Sequence, residues 1–398
     1  MNKKYSLKMM ITLMLIASAL TCLIIAVILD SQLGFFSKRF NAVREYAALL
    51  SRIEDLYIGE YDGADVSAAA NGAAVYALGD RWSFYMTPDE YVGYLDSSNN
   101  RFAGIGISAV VDEETGGMRV HSVYSGSAAE TSGILAGDVI TGIDGSDIAG
   151  LDLDEMRALL ARSIGDAINL TILHEDGGVE SITVVYSMVF TDPVEYEMLE
   201  DNIGYIVLVN FETGAAGSFI AAVKQLVSEG ATGCIFDVRG NGGGRVSELT
   251  AMLDYLLPEG EIFVAVDKSG REEITMSDPG SVDLPCVVLV DRYSYSAAEY
   301  FAATLGEYGY ADIIGEQTTG KNRSQITVTL PGGGALHISS GQYLTKNRVS
   351  LYDTGGLTPD YQIALTDEEI SLLFSGNLEK EADVQFKKAV EVLLDKIK

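Results

Sequence analysis

Two runs in the second half of the chain, Gly233-Cys-Ile-Phe-Asp-Val238 and Cys286-Val-Val-Leu-Val290, are almost wholly apolar and do not alternate. A strand with one wet face alternates apolar and polar residues, whereas a run apolar at successive positions needs cover on both faces. Around these runs apolar residues recur at helical spacing: Phe219, Val223, Leu226 and Val227, then Leu249, Met252, Leu253 and Leu256, then a segment from Ala297 to Tyr308. Ile203–Val209 and Ala311–Gly315 read as further strands. Such alternation predicts a largely parallel sheet covered by helices, so the region from 189 onward reads as α/β. In such sheets, sites form where strands end and helices begin.

Residues 101–188 have a different character. Short β runs at 105–111, 118–123, 139–143, 167–173 and 179–185, separated by glycine turns and one helix-like segment (153–162), predict a β-rich module. Residues 31–96 show mainly helical spacing, as in Val43, Ala47, Leu50 and Ile53. The chain opens with Lys3, Lys4 and Lys8, then an uncharged run of 21 residues, Met9–Leu29, then Asp30. That length crosses a ~30 Å hydrocarbon layer at 1.5 Å per residue. The lysines place the short tail in the cytoplasm. The bulky end at Ile25–Leu29 argues against a cleaved signal, whose apolar core spans ~7–15 residues and ends in a small-x-small site. The expected organisation is a cytoplasmic tail and transmembrane anchor (1–30), a helical region (31–97), the β module (98–188) and an α/β core with a charged C-terminal helix (189–398). In fold class this is α/β, or α+β multidomain.

Composition narrows the function. The 57 acidic residues outnumber 27 basic ones for a net charge of −30, which excludes a nucleic-acid partner. Three His and three Cys without a CxxC pair leave no basis for a metal centre or a disulfide scaffold, and no motif calls for a cofactor. Cys22 falls in the membrane run, while Cys234 and Cys286 read as buried free thiols. A hydrolytic mechanism would have to draw its base from one of three His or from another residue type. His121, His174 and His337 read as ordinary strand or turn residues.

Three loops stand at expected strand ends. Asp237-Val-Arg-Gly-Asn-Gly-Gly-Gly244 offers unobstructed N–H groups to an anion or oxyanion, though a tight turn explains it equally. Asp291-Arg-Tyr-Ser-Tyr-Ser-Ala-Ala-Glu299 runs from a buried strand straight into a helix. A serine hydroxyl there meets a helix N-terminus, which favours developing negative charge. Composition does not separate Ser294 from Ser296, and Ser296 with Glu299 also matches a capping box. Gly315-Glu-Gln-Thr-Thr-Gly-Lys-Asn322 is similar to a phosphate-binding loop, but Asn322 stands where a magnesium-binding hydroxyl is needed. The following Gln325-Ile-Thr-Val-Thr-Leu predicts a strand where that loop requires a helix. Lys321 instead suits a general base beside a serine if burial lowers its pKa, with Arg323 helping should it point inward.

These residues resemble the C-terminal processing peptidases, or tail-specific proteases, over about 40–365. Leu78-Gly-Asp-Arg-Trp-Ser-Phe-Tyr-Met86 is similar to the family's L-G-D-P-Y-S-x-Y-[LM]. Phe102-Ala-Gly-Ile-Gly-Ile107 resembles the start of its PDZ domain, and Ser132-Gly-Ile-Leu-Ala-Gly-Asp-Val-Ile140 with Ile143-Asp-Gly145 resembles the later PDZ pattern. The Gly loop is similar to D-L-R-x-N-[PG]-G-G, and Gly356-Leu-Thr-Pro-Asp360 to G-[IV]-x-P-D. Registering the family's A-S-A-S-E loop on Glu299 selects Ser296; the family's lysine follows 25 positions later, at Lys321, and its supporting glutamine four beyond, at Gln325. The resemblance implies a Ser/Lys serine protease with a crotonase-like core. In it Ser296 is the nucleophile, Lys321 the base and Gln325 its orienting partner, with oxyanion donors at the Gly244 and Ala297 amides. It also implies that Phe102, Gly104, Ile105, Gly106 and Ile107 receive a C-terminal tail. Tyr295 for Ala, Ala298 for the second Ser, Thr319 for Phe and Asn322-Arg-Ser324 for G-x-[VI] depart from the pattern and alter the pocket walls.

The expected protein is thus a membrane-anchored, extracytoplasmic serine endopeptidase acting on proteins with accessible C-terminal tails. A homodimer or a regulatory partner stays open. Two other classes fit parts of the chain: a catalytically silent PDZ scaffold, and a crotonase-like acyl-CoA enzyme, which has no use for a PDZ module or an anchor.

Overall fold

The structure is a computed structural model that describes residues 6–33 and 38–398; Lys3 and Lys4 of the expected tail lie outside the described residues. It divides into two units, Met1–Ser67 and Ala68–Lys398. The first contains the helix Leu7–Leu33, whose apolar span Leu7–Leu29 is nowhere buried within the protein. The helix Lys38–Leu56 follows, with Val43, Leu49 and Leu56 exposed.

In the second unit a six-stranded sheet runs Val194–Met198, Ile203–Leu208, Gly233–Asp237, Cys286–Val290, Ala311–Gly315, Tyr361–Gln362. It is mixed: the first pair is antiparallel and the other four pairs are parallel. The apolar runs are split by the two-residue period of the strand. Cys286, Val288 and Val290 pack with Phe219, Phe301 and Leu253 of the helices Ala215–Glu229, Ala297–Glu307 and Val246–Leu256. Val287 and Leu289 face the other way and meet Phe386, Ala389 and Leu393 of the helix Val384–Ile397. The charged tail of the sequence is therefore the cover for the second face. Cys234 and Cys286 sit opposite one another on paired strands as free, buried thiols.

A second sheet joins Phe84–Met86, Arg323–Thr329, Ala335–Leu344, Glu261–Asp267 and Glu272–Met276. Its first strand lies in the region expected to be helical. Phe84, Tyr85 and Met86 pair with His337, Leu336 and Ala335, and Thr87 then starts the helix Pro88–Ser97 with a capping box to Glu90. The polar stretch after that helix is no free linker. Ser98 and Asn100 are buried; the Ser98 carbonyl accepts from Thr213 Oγ1 (2.9 Å), and Asn100 Nδ2 donates to the Thr213 carbonyl (3.0 Å). The Arg323–Thr329 strand after the Lys321 loop removes the phosphate-loop reading.

Between these elements lies the β module. Its antiparallel order is Ile107–Val111, Met118–Val123, Val139–Ile143, Ala167–Leu173, Val179–Val185, with Met156 of the helix Leu153–Leu160 buried against Ile140, Ile168 and Leu170. Arg101–Gly104 pairs with Ser187–Phe190, closing the entry and exit of the module. Leu393 is fully buried beneath the core sheet. Leu393→Ala should lower the unfolding free energy by about 2–5 kcal/mol, read by urea denaturation.

Candidate active site

The strand Cys286–Val290 ends in Asp291, a buried carboxylate that accepts from the Gly240 N–H, the Tyr293 N–H and the Ser294 hydroxyl, each at 3.0 Å. Ser294 also meets the Val238 carbonyl at 2.8 Å and is fully buried. The two serines are thereby separated: Ser294 stitches two loops together, and Ser296 lines an open cavity. Ser296 occupies the N-cap position of the helix Ala297–Glu307 without capping it through its hydroxyl. Its side chain makes no cap hydrogen bond, and its backbone lies at φ 60°, ψ −122°, a region that L-residues rarely adopt.

Glu299, the partner expected for that cap, is fully buried; the Ser296 N–H acts on its carboxylate, and it also reaches the Lys321 loop. Its carboxylate accepts from the Gly320 N–H (2.6 Å), the Lys321 N–H (2.9 Å) and the Thr318 hydroxyl. Burial pushes its pKa up, against those donors. The Tyr343 hydroxyl donates to the Lys321 carbonyl from the strand Ala335–Leu344. Both backbone groups of Lys321 are thus held, one by the Ser296 helix and one by the second sheet.

The Gly loop closes on the same point. Asn241 accepts from the Gly243 N–H (2.8 Å), donates to the Leu208 carbonyl (2.6 Å) and through its own carbonyl takes the Tyr295 N–H (3.1 Å). Gly243 has φ 86°, and a Cβ built there would lie 2.7 Å from the Ala297 nitrogen and 2.8 Å from Ser296 Cβ. Only glycine lets the loop approach the serine this closely. The N–H groups of Gly244 and Ala297 have no acceptor among the described residues. Behind the loop, Arg239 is buried between Asp237 (2.6 Å) and Asp383 (2.7 Å), linking it to the C-terminal helix.

Ser296, Lys321, Gln325 and Gly244 line one cavity of about 680 Å³, with Trp82, Tyr295 and His337 in its wall. Gln325 Nε2 donates to the Arg323 carbonyl and Ser339 Oγ, both at 3.0 Å, which leaves its carbonyl oxygen free of partners among the described residues. Lys321 is 9% exposed and forms no ion pair among the described residues. Its Nζ stands 4.4 Å from the Trp82 ring centroid and 5.8 Å from that of Tyr295. Desolvation lowers its pKa to about 8; Asp80 and Glu299 oppose the shift and Arg81 assists it. The expected helper Arg323 is ion-paired with Asp80 at 3.3 Å. Sequence reasoning passed over Arg81 and the placement of His337. His337 is held by Thr327 Oγ1 (2.9 Å) and stacked on Phe84 (4.7 Å), and burial lowers its pKa.

The β-module residues form a separate group. Phe102 lines a neighbouring cavity of about 400 Å³ with Tyr124; Ser97 and Asn210 line both cavities. Gly104 ends the strand that pairs with Ser187–Phe190, and Ile107 begins the edge strand Ile107–Val111. The carbonyls of Ile105 and Gly106 accept from Ala129 (2.8 Å) and Tyr124 (3.0 Å), while their N–H groups have no acceptor among the described residues.

A serine, a buried lysine and a glycine loop thus meet at one cavity, and residues 202–363, which contain all three, match the model of peptidase family S41. Residues 103–185 match the PDZ domain, so the chain carries an S41 peptidase domain with a PDZ domain ahead of it. Among curated proteins it is similar to the carboxyl-terminal-processing protease of Synechocystis sp., 28% identical over 322 residues, covering 79% of this chain and 74% of that one. It is likewise 28% identical over 340 residues to the carboxy-terminal processing protease CtpA of Bacillus subtilis, covering 85% and 70%. In fold it is similar to a putative S41 protease from Bacteroides fragilis, with a TM-score of 0.57 at 19% identity over 81% of this chain and 88% of that one.

Trp82 is the only tryptophan, so it reports on the ammonium beside it. Intrinsic fluorescence should show a transition near pH 8 that Lys321→Met removes. The folded pKa lies below the ordinary 10.5, so below pH 8 folding must desolvate a charge, and that cost disappears as pH rises from 8 to 10.5. Lys321→Met should therefore be more stable than the parent at pH 7, and its advantage should shrink across that interval in denaturant titrations.

Proposed function

We propose that this protein is a membrane-anchored serine endopeptidase that captures protein C-terminal tails through its PDZ domain and cleaves by a Ser296–Lys321 mechanism. The observation that carries the reading is Lys321: a buried amine without a carboxylate partner in ion-pair range, lining the cavity of Ser296. Neutral Lys321 takes the Ser296 proton as Oγ bonds to the substrate carbonyl carbon. The carbonyl electron pair moves to oxygen, which the Gly244 and Ala297 N–H groups receive. Collapse breaks the C–N bond, the Lys321 ammonium protonates the leaving amine, and water then hydrolyses the acyl-enzyme. The free carbonyl oxygen of Gln325 accepts from the lysine ammonium and orients it.

The free N–H groups of Ile105 and Gly106 suit a terminal carboxylate, and the edge strand Ile107–Val111 suits strand addition by the tail. The apolar helix segment Leu7–Leu29 anchors the protein, with its lysines on the cytoplasmic side and the peptidase outside. The curated relatives' names, which state carboxyl-terminal processing, support the substrate class.

Ser296→Ala and Lys321→Ala should each lower cleavage of unfolded casein or a tailed reporter by at least about 10³-fold. Wild-type Ser296 should be labelled by a fluorophosphonate; an unlabelled serine with intact tail binding would instead establish a silent scaffold. In the free enzyme, kcat/KM should fall about tenfold per pH unit below 8, as protonation removes the base.

A further inference from the structure

The loop that closes the cavity reads Leu78-Gly-Asp-Arg-Trp, with Arg81 and Trp82 where the resembling pattern has Pro and Tyr. The Arg81 guanidinium lies 4.2 Å from the Trp82 ring centroid, and Trp82 packs on Tyr295 at 5.3 Å between centroids. Arg81 is thus held at the cavity wall by stacking rather than by an acid.

That is unusual in this chain. With 57 acidic residues against 27 basic ones, a surface arginine has many carboxylates to choose from. The other two arginines of the cavity have taken one each: Arg245 pairs with Glu212 at 3.3 Å and Arg323 with Asp80 at 3.3 Å. Arg81 is in no ion pair among the described residues, and it is exposed to the cavity. Of the remaining titratable groups there, Lys321 and His337 are both pushed toward their neutral forms, and Glu299 is sealed beneath the Lys321 loop. Glu212 and Asp80 are offset by their arginines. Above pH 8, where Lys321 is largely neutral, the cavity mouth therefore carries one uncompensated positive charge, that of Arg81; below pH 8 the Lys321 ammonium adds a second, on a protein of net charge −30.

We propose that Arg81 is a specificity-determining residue that selects substrates bearing a carboxylate within the few residues that the cavity holds. Trp82 fixes the guanidinium plane, so a carboxylate meets two donors already oriented. The carboxylate belongs either to an acidic side chain or to the substrate's own C-terminus. This rests on the endopeptidase reading, but its test does not need turnover.

The Ser296→Ala protein is titrated by fluorescence anisotropy with labelled neutral ten-residue tails through which one Glu is moved, each matched to its Gln counterpart. A second arm compares each tail with its C-terminal amide. At low salt the preferred Glu position, or the free terminus, should tighten binding about fivefold. Adding Arg81→Gln should abolish that ratio, and Arg81→Lys should restore most of it. A ratio that Arg81→Gln leaves unchanged, or the absence of any carboxylate preference including absence of binding, overturns the proposal. In the cleavage-competent protein, Arg81→Gln should also move the acid limb of kcat/KM to higher pH, because it removes a cation that disfavours protonated Lys321. An unmoved limb together with unchanged peptide ratios leaves Arg81 only a packing role. Failure of the endopeptidase reading would appear elsewhere, as an unlabelled Ser296.

Discussion

A single buried carboxylate holds the site together. Glu299 stands one turn into the helix that begins after Ser296 and accepts two backbone amides and a hydroxyl from the Thr318–Lys321 loop. The serine and the lysine are 25 residues apart in sequence, on different connections of the sheet, and this contact joins those connections directly. Withdrawing the carboxylate would leave three buried donors without an acceptor, at a cost of roughly 1–3 kcal/mol each. Asn241 and Asp291 play the same part for the Gly loop. Loops rich in glycine are costly to order, and here side chains that bond to loop backbone do the ordering in advance.

Much of the core was legible because its information is local. Cys286–Val290 is apolar at every position, and the structure covers both its faces. The strand after Lys321 was legible from Gln325-Ile-Thr-Val-Thr, and it removed the nucleotide reading. Ser296 was singled out by registering the family's loop on Glu299, and that acid also serves the Lys321 loop, which a capping box does not contain. One helical turn brings the acid both to the Ser296 N–H and to a loop that the local pattern does not contain. Phe84–Met86 was not legible as a strand, since its partners lie some 250 residues away at Ala335–His337. Arg81 and His337 were missed for the same reason: periodicity tells which face a residue takes, not which cavity that face lines.

The charge balance resolves locally. A strongly acidic protein favours protonated lysine, and two carboxylates do act on Lys321 in that direction. Desolvation prevails because Asp80 is ion-paired with Arg323 and Glu299 spends its lone pairs on backbone donors. The cavity thereby brings the amine's pKa down to about 8 within a strongly acidic protein.

The backbone of Ser296 has a bearing on stability. An L-residue at φ 60°, ψ −122° occupies ground that glycine holds without strain. Replacement of the serine by glycine there would relax the turn at the loss of its Cβ and hydroxyl. The fold thus carries at Ser296 a strain that a glycine would not. Under the proposed mechanism that strain is carried for the sake of the hydroxyl, so stability and peptide cleavage pull against each other at this one position.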